Sequence, residues 1–151
     1  QLTPQQISDQ DKSTGMKAYY PLYIHTDPET KAKRYAIHVS GKGLWSTVKA
    51  FMALAGDLST IAGIVFYEHQ ETPGLGGEVE KPFFQDQFKG KKWKAGGEVQ
   101  TFRITKPGAA GDDHSVDGIT AATMTCRGVE SFLNADYAVY NRYFEQLEAS
   151  R

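Results

Sequence analysis

Three hydroxyl-bearing residues, Thr120, Thr123 and Thr125, stand among small residues in VDGITAATMTCRGV, residues 116–129. The stretch is entered from Asp117 and Gly118 and runs into a helical pattern. The first turn of a helix has N–H groups without intrahelical partners and a partial positive charge, so a phosphate is favoured there without any lysine. Ala121 and Ala122 keep the approach clear, and the hydroxyls add donors. On the residues alone a plainer account is favoured, in which Thr120 is an N-cap and the rest is a small-residue packing contact. ETPGLGG, residues 71–77, is a second surface of this kind. Its glycines allow close backbone approach to a flat ligand, or simply a tight turn between strand and helix.

Other chemistries lack their spacing. SGKGLWST is not a phosphate-binding P-loop, because Lys42 is followed by Gly43 instead of Ser or Thr. GLGG at Gly74 lacks the third glycine of a dinucleotide fingerprint, Val79 standing in its place. His25, His38, His69 and His114 fall at no metal-ligand spacing, so no metal site is expected. No GxSxG elbow supports a hydrolytic triad. Cys126 is the sole cysteine and falls on an apolar helix face, where it reads as a small buried hydrophobe.

These groups need a frame. AYYPLYIHT and RYAIHVS read as two strands of a hairpin around the turn TDPETK, with Pro21 near the start of the first. LWSTVKAFMALA fits both helical and alternating spacing, but the Gly56-Asp57 turn and the β-branched run IAGIVFYEH after it favour a second hairpin. ETPGLGGEVE is expected as loop, KPFFQDQFKGKK as a short helix carrying Phe84 and Phe88 and ended by Gly90, VQTFRIT as a strand, and KPGAAGDDHS as loop. From Ala122 onward, Cys126, Val129, Leu133, Tyr137, Tyr140, Phe144 and Leu147 step by three or four, with Glu130, Asn134, Asn141, Glu145 and Glu148 opposite. That predicts a long C-terminal helix. The expected fold is α+β: a single domain with a curved, largely antiparallel sheet, flanking helices and that helix packed on it. Residues 1–17 are expected as a polar arm or short helix, and 18–151 as the domain.

With 151 residues, 40% hydrophobic and 23% charged, the chain has the composition of one soluble globular domain. Its formal charge of −1 gives no electrostatic reason to bind nucleic acid or an anionic membrane surface. No apolar run approaches the length of a membrane helix.

The segment DGITAAT, residues 117–123, resembles the flavinylation motif D-x-x-(S/T)-G-A-T of the FMN-binding domains in bacterial redox pumps. Two further segments match in order and distance: SGKGLWSTVKAFMALAGD and GIVFYEHQETPGLGGEV. EHxETPGLG is shared with the G subunit of the Rnf complex, whereas GKGLWST is similar to the C-subunit family of the Na+-translocating NADH:quinone reductase. The resemblance spans most of residues 18–148 and favours the latter; an Rnf-type subunit, a free-standing flavodomain or a non-redox module binding an anionic ligand are the alternatives.

The resemblance implies that Thr123 carries FMN through a phosphodiester, installed by a separate Mg2+-dependent flavin transferase with FAD as donor. Asp117 and Thr120 then belong to what the transferase recognises. Around the cofactor it implies Thr72 and Leu75 as ring contacts within a segment that includes Glu71, Gly74 and Gly76. Leu44, Trp45 and Ser46 complete that pocket, and Thr120, Ala121, Ala122 and Thr125 lie about the phosphodiester. No catalytic residue is implied, because the flavin itself does the redox chemistry. The family's complex passes electrons from NADH to ubiquinone and exports Na+, with this domain on the periplasmic side of the inner membrane beside other subunits. The family's N-terminal transmembrane helix is missing from these 151 residues, so a truncated form is expected. Ala121 replaces the motif's glycine, which is harmless in helical backbone and costly at positive φ.

Overall fold

The computed structural model describes Gln6 and residues 17–150, and the arm expected over residues 1–17 therefore lies almost wholly outside the described residues. The frame is an antiparallel sheet of β1 (Leu22–Thr26), β2 (Lys33–Lys42), β3 (Thr47–Leu54) and β4 (Ile61–Glu68), in that spatial order. β1 starts just after Pro21, which has no N–H to give a ladder. Asp27 Oδ1 closes the first turn by accepting the Glu29 and Thr30 N–H groups at 2.9 and 2.8 Å. Asp57 Oδ1 does the same for Ser59 and Thr60 between β3 and β4, at 2.9 and 2.8 Å. In β3, Val48, Ala50, Met52 and Leu54 are buried, which is the alternating reading of that ambiguous run.

The C-terminal helix, Thr123–Ala149, packs its apolar stripe across the sheet. Cys126, Val129, Leu133, Tyr137, Tyr140 and Phe144 are all buried, and Leu147 is packed against the same core. Tyr137 stacks flat on Trp93, with ring centroids 4.2 Å apart. The helix also serves an unpaired strand edge. β2 runs beyond its last β1 partner, and there Tyr140 Oη and Asp136 Oδ2 accept the N–H groups of His38 and Ser40 at 3.2 and 3.0 Å. Asp136 in turn pairs with the buried Lys17 ammonium.

Between sheet and helix the chain is made of short pieces. A 3₁₀ turn, Gly76–Glu80, occupies part of the expected loop. The helix α1, Pro82–Gln85, follows and continues as a 3₁₀ turn, Asp86–Phe88, with Gly90 ending it at φ +84°. Phe84 and Phe88 are both buried, as their spacing predicts. Next come β5 (Lys94–Ala95), β6 (Glu98–Val99), β7 (Arg103–Thr105) and β8 (Ser115–Asp117), and then the C-terminal helix, α2 (Thr123–Ala149).

VQTFRIT is not one strand. β6 pairs with β5, whereas β7 pairs in parallel with β8, a three-residue strand too short to show a sequence period. The interruption has a physical cause in α2. Asn134 Oδ1 accepts the Phe102 N–H and its Nδ2 donates to the Phe102 carbonyl, both at 2.8 Å, while Glu130 Oε2 accepts the Ile104 N–H at 2.6 Å. Helix side chains thus replace a strand partner, and two residues expected on a solvent face, Glu130 and Asn134, bind backbone. The α+β expectation otherwise holds: one mainly antiparallel sheet, one core and a long terminal helix.

Candidate functional site

Thr123 is the first residue of α2, and it is exposed. Gly118 donates its N–H to the Thr105 carbonyl at 2.8 Å, which ties the end of β8 to β7 and aims the chain at the helix start. A Cβ on Gly118 would lie 2.7 Å from that same carbonyl oxygen, so glycine is needed for this close approach. The chain then turns through Ala121 at φ +62° and Ala122 at φ −127°, ψ 34°. Ala122, not Thr120, is the N-cap, and no side chain caps the helix. The capping account of Thr120 is therefore corrected. The first-turn N–H groups keep no side-chain oxygen over them.

The three threonines part company here. Thr120 and Thr123 are exposed, but Thr125 is buried and its hydroxyl donates to Glu71 Oε1 at 2.9 Å. The Glu71 carboxylate also accepts the N–H groups of Leu44, Trp45 and Ser46 at 2.6, 3.0 and 3.0 Å, and the Ser46 hydroxyl at 2.9 Å. Burial pushes this carboxyl up, but the Leu44 N–H, the Ser46 hydroxyl, the Trp45 N–H and the Thr125 hydroxyl outweigh it, holding the pKa below the usual range. The 44–46 loop is thereby tied to the start of α2. Glycines make room for the knot: a Cβ on Gly43 would fall on Glu71 Oε1, and one on Gly76 on Thr125 Oγ1.

Asp117, expected to be read by a transferase, ends β8 and its Oδ1 accepts the Ala110 N–H at 2.9 Å. Gln87 grips the backbone of the same residue, accepting its N–H at 2.8 Å and donating to its carbonyl at 3.1 Å. The Thr72 carbonyl accepts the N–H groups of Leu75 and Gly77 at 3.1 and 2.9 Å, and Gly74 sits at φ +77°. That fold of the turn leaves the Leu75 side chain exposed.

Two hollows meet at this helix start, sharing Pro107, Gly118 and Ile119 as walls. One, of about 650 Å³, is bounded by Gly74, Glu78, Phe83, Gln87, Asp117 and Thr120. The other, of about 210 Å³, is bounded by Thr123, Lys106, Arg127, Thr105, Ile104 and Cys126. The first is in the range of small-molecule sites, and the second has two cationic residues, Lys106 and Arg127, among the same walls as Thr123. Of the exposed apolar side chains, Phe83 lines the larger hollow, Leu75 and Met124 are chain neighbours of Gly74 and Thr123, and Trp45 lines a separate hollow with Ser46, Lys49, Glu68 and His69. A phosphodiester at Thr123 with a flat ring beyond it fits these residues in charge, size and polarity.

The expected residues divide into groups. Gly74, Asp117 and Thr120 line the larger hollow and Thr123 the smaller. Leu44, Trp45, Ser46, Glu71 and Thr125 are joined in the carboxylate knot, with Gly76 packed against it. Lys106, Arg127 and Phe83 are additions that the sequence motifs do not mark. The cation before Pro107 and the arginine one turn beyond Thr123 are visible signals, whereas nothing local marks Phe83 as exposed. Burial pushes the Cys126 thiol pKa up, with no reactive character in view. Among the described residues no cluster of three or more His, Cys, Asp or Glu could hold a metal ion.

The family described as FMN-binding domain matches residues 43–137. The C subunit of the Na(+)-translocating NADH-quinone reductase of Vibrio alginolyticus is 42% identical over 110 residues, covering 72% of this chain and 43% of that protein. Its counterpart in Pseudomonas aeruginosa is 41% identical over 120 residues, covering 77% of this chain and 46% of that protein. The chain thus spans less than half the length of these relatives. Among solved structures, Shewanella oneidensis NqrC aligns with a TM-score of 0.83 at 33% identity, covering 98% of this chain and 71% of that one. The C subunit of the reductase from Parabacteroides distasonis aligns with a TM-score of 0.75 at 34% identity, covering 82% of this chain and 62% of that one.

Proposed function

The chain belongs to the FMN-binding domain family that includes the C subunit of the Na(+)-translocating NADH-quinone reductase, and from that premise we propose that it carries FMN on Thr123 as an electron-transfer domain. One observation carries the reading. The exposed Thr123 hydroxyl opens the longest helix, uncapped, where a hollow flanked by Lys106 and Arg127 meets a larger one walled by Gly74 and Phe83.

FMN supplies one- and two-electron redox chemistry when bound. The chain's own residues supply position and charge. The first-turn N–H groups of α2, with Lys106 and Arg127, favour the phosphodiester's negative charge. Thr72, Gly74 and Leu75 offer the ring a surface of low polarity, and Leu44 and Trp45 extend it. A threonine hydroxyl is too weakly acidic to attack phosphorus unaided, so the bond is made by a separate flavin transferase. Thr123 would be the acceptor of the FMN phosphoryl group from FAD, its hydroxyl proton passing to a base of the transferase and AMP being the leaving group. Thr120 is exposed beside the acceptor and is available for recognition by the transferase. Asp117 acts there through the loop it holds at Ala110.

In a subunit of this kind, the domain relays electrons between NADH and ubiquinone in a Na+-exporting membrane complex, on its periplasmic face and beside other subunits. Among the described residues no helix is long and apolar enough to cross a membrane. The test is intact mass after coexpression with a flavin transferase. The expected result is an increment of FMN less one water, mapped to Thr123 and lost in Thr123→Ala. An unmodified wild-type chain under those conditions would refute the reading.

A further inference from the structure

We infer that Glu71 is a positioning residue that never touches the flavin: its carboxylate takes the place of an anion in a nest of backbone N–H groups and so holds the 44–46 loop against the start of α2. The inference deepens the FMN reading and rests on it for the flavin itself.

Three consecutive N–H groups, of Leu44, Trp45 and Ser46, converge on one carboxylate, as in nests that bind phosphate. Here a side chain of the same molecule fills the nest. Its two oxygens accept five donors in all: Leu44 N–H and the Thr125 hydroxyl on Oε1, and Trp45 N–H, Ser46 N–H and the Ser46 hydroxyl on Oε2. A carboxylate so saturated, on a residue only 4% exposed, has neither the lone pairs nor the access to bind a ligand. Yet what it holds lies at the site. Thr125 is two positions beyond the acceptor Thr123, and Leu44 and Trp45 are exposed apolar groups on the loop that the same carboxylate binds. Gly43 and Gly76 have no side chain where one would collide with this arrangement. Charge-assisted bonds in a dry setting are strong, so the loop's place is set by the carboxylate more than by its own contacts.

The test removes the carboxylate and gives it back. Amide hydrogen exchange at Leu44, Trp45 and Ser46 is measured in wild type, Glu71→Ala and Glu71→Gln, each with and without formate, alongside the flavin transferase's rate on the same proteins. In Glu71→Ala the three amides should exchange about 10-fold faster or more, and flavinylation should slow by about 10- to 100-fold, the scale on which misplaced groups cost rate. Formate should refill the nest and restore both. Glu71→Gln, which leaves no cavity, should show the same direction because its NH2 group faces donors. Unchanged exchange at the three amides in both variants overturns the clamp, and faster exchange with a wild-type flavinylation rate overturns the positioning role. An unmodified wild-type protein would instead refute the FMN reading, while the exchange data would still decide what Glu71 does to the loop.

Discussion

Thr125 and Glu71, separated by 54 positions in the chain, share a buried hydrogen bond of 2.9 Å between hydroxyl and carboxylate. Through it the helix that presents Thr123 and the loop that presents Leu44 and Trp45 become one unit. Geometry at Thr123 therefore depends on contacts made away from it.

Thr123 is exposed and caps nothing, so its removal should cost the fold little. Thr123→Ala should leave stability within about 0.5 kcal/mol by urea titration and abolish the covalent mass increment. Thr123→Ser, which keeps the hydroxyl, should retain the increment.

Ala121 holds φ +62°, a conformation that an L side chain occupies at a cost. Ala121→Gly should therefore raise stability by about 1 kcal/mol, read as a higher urea midpoint at unchanged slope. The β-branched Ala121→Val should lower it and slow flavinylation at the neighbouring threonine.

Gly128 sits one turn into α2, and a Cβ there would fall on the Lys42 carbonyl oxygen and crowd Gly43. Gly128→Ala should lower stability by about 1–3 kcal/mol through overpacking. Because the displaced partner is the strand leading into Leu44–Ser46, modification of Thr123 should slow as well.

Lys106 and Arg127 flank the Thr123 hollow, and both are exposed. Lys106→Gln and Arg127→Gln should each weaken reversible FMN binding by the domain, by about 2- to 10-fold at low ionic strength, with the difference shrinking in salt. Fluorescence titration at two salt concentrations reads this directly, and the thermal midpoint should hardly move.

His38 is buried on the outer face of the sheet, its Nε2 2.7 Å from the Tyr67 hydroxyl and its ring edge-on to Phe51. Burial, aided by Lys17 and Lys49, holds its pKa at about 4, below the ordinary 6.5. Between those values the unfolded chain binds a proton that the folded chain refuses, so stability falls as pH drops from 6.5 to about 4 and this contribution then levels off. Glu71, held below its ordinary value of 4.5, adds a further loss at still lower pH. Urea midpoints across roughly pH 7 to 4, a range set by these reference values, should show the first fall in wild type and a flatter line in His38→Phe.

By itself the sequence determined what depends on local spacing. The two hairpins follow from alternation and from Asp27 and Asp57 in their turns, and the long helix from a stripe stepping by three or four. A motif resemblance put Thr123 forward as the attachment site, and the fold sets that residue at the first position of α2. Tertiary structure alone decided the rest. The break in VQTFRIT depends on Asn134 and Glu130 reaching Phe102 and Ile104 from a helix about thirty residues later, and no periodicity carries that pairing. The φ of Ala121 is set by Gly118 bound to Thr105 and by where α2 docks, so a residue suited to helix is held in a glycine's conformation. Glu71 lies within a stretch expected from its glycines to admit a flat ligand, yet its oxygens are all taken by Leu44, Trp45, Ser46 and Thr125. A donor's partner is chosen by the folded chain's geometry in space, and residue type records only that a partner must exist.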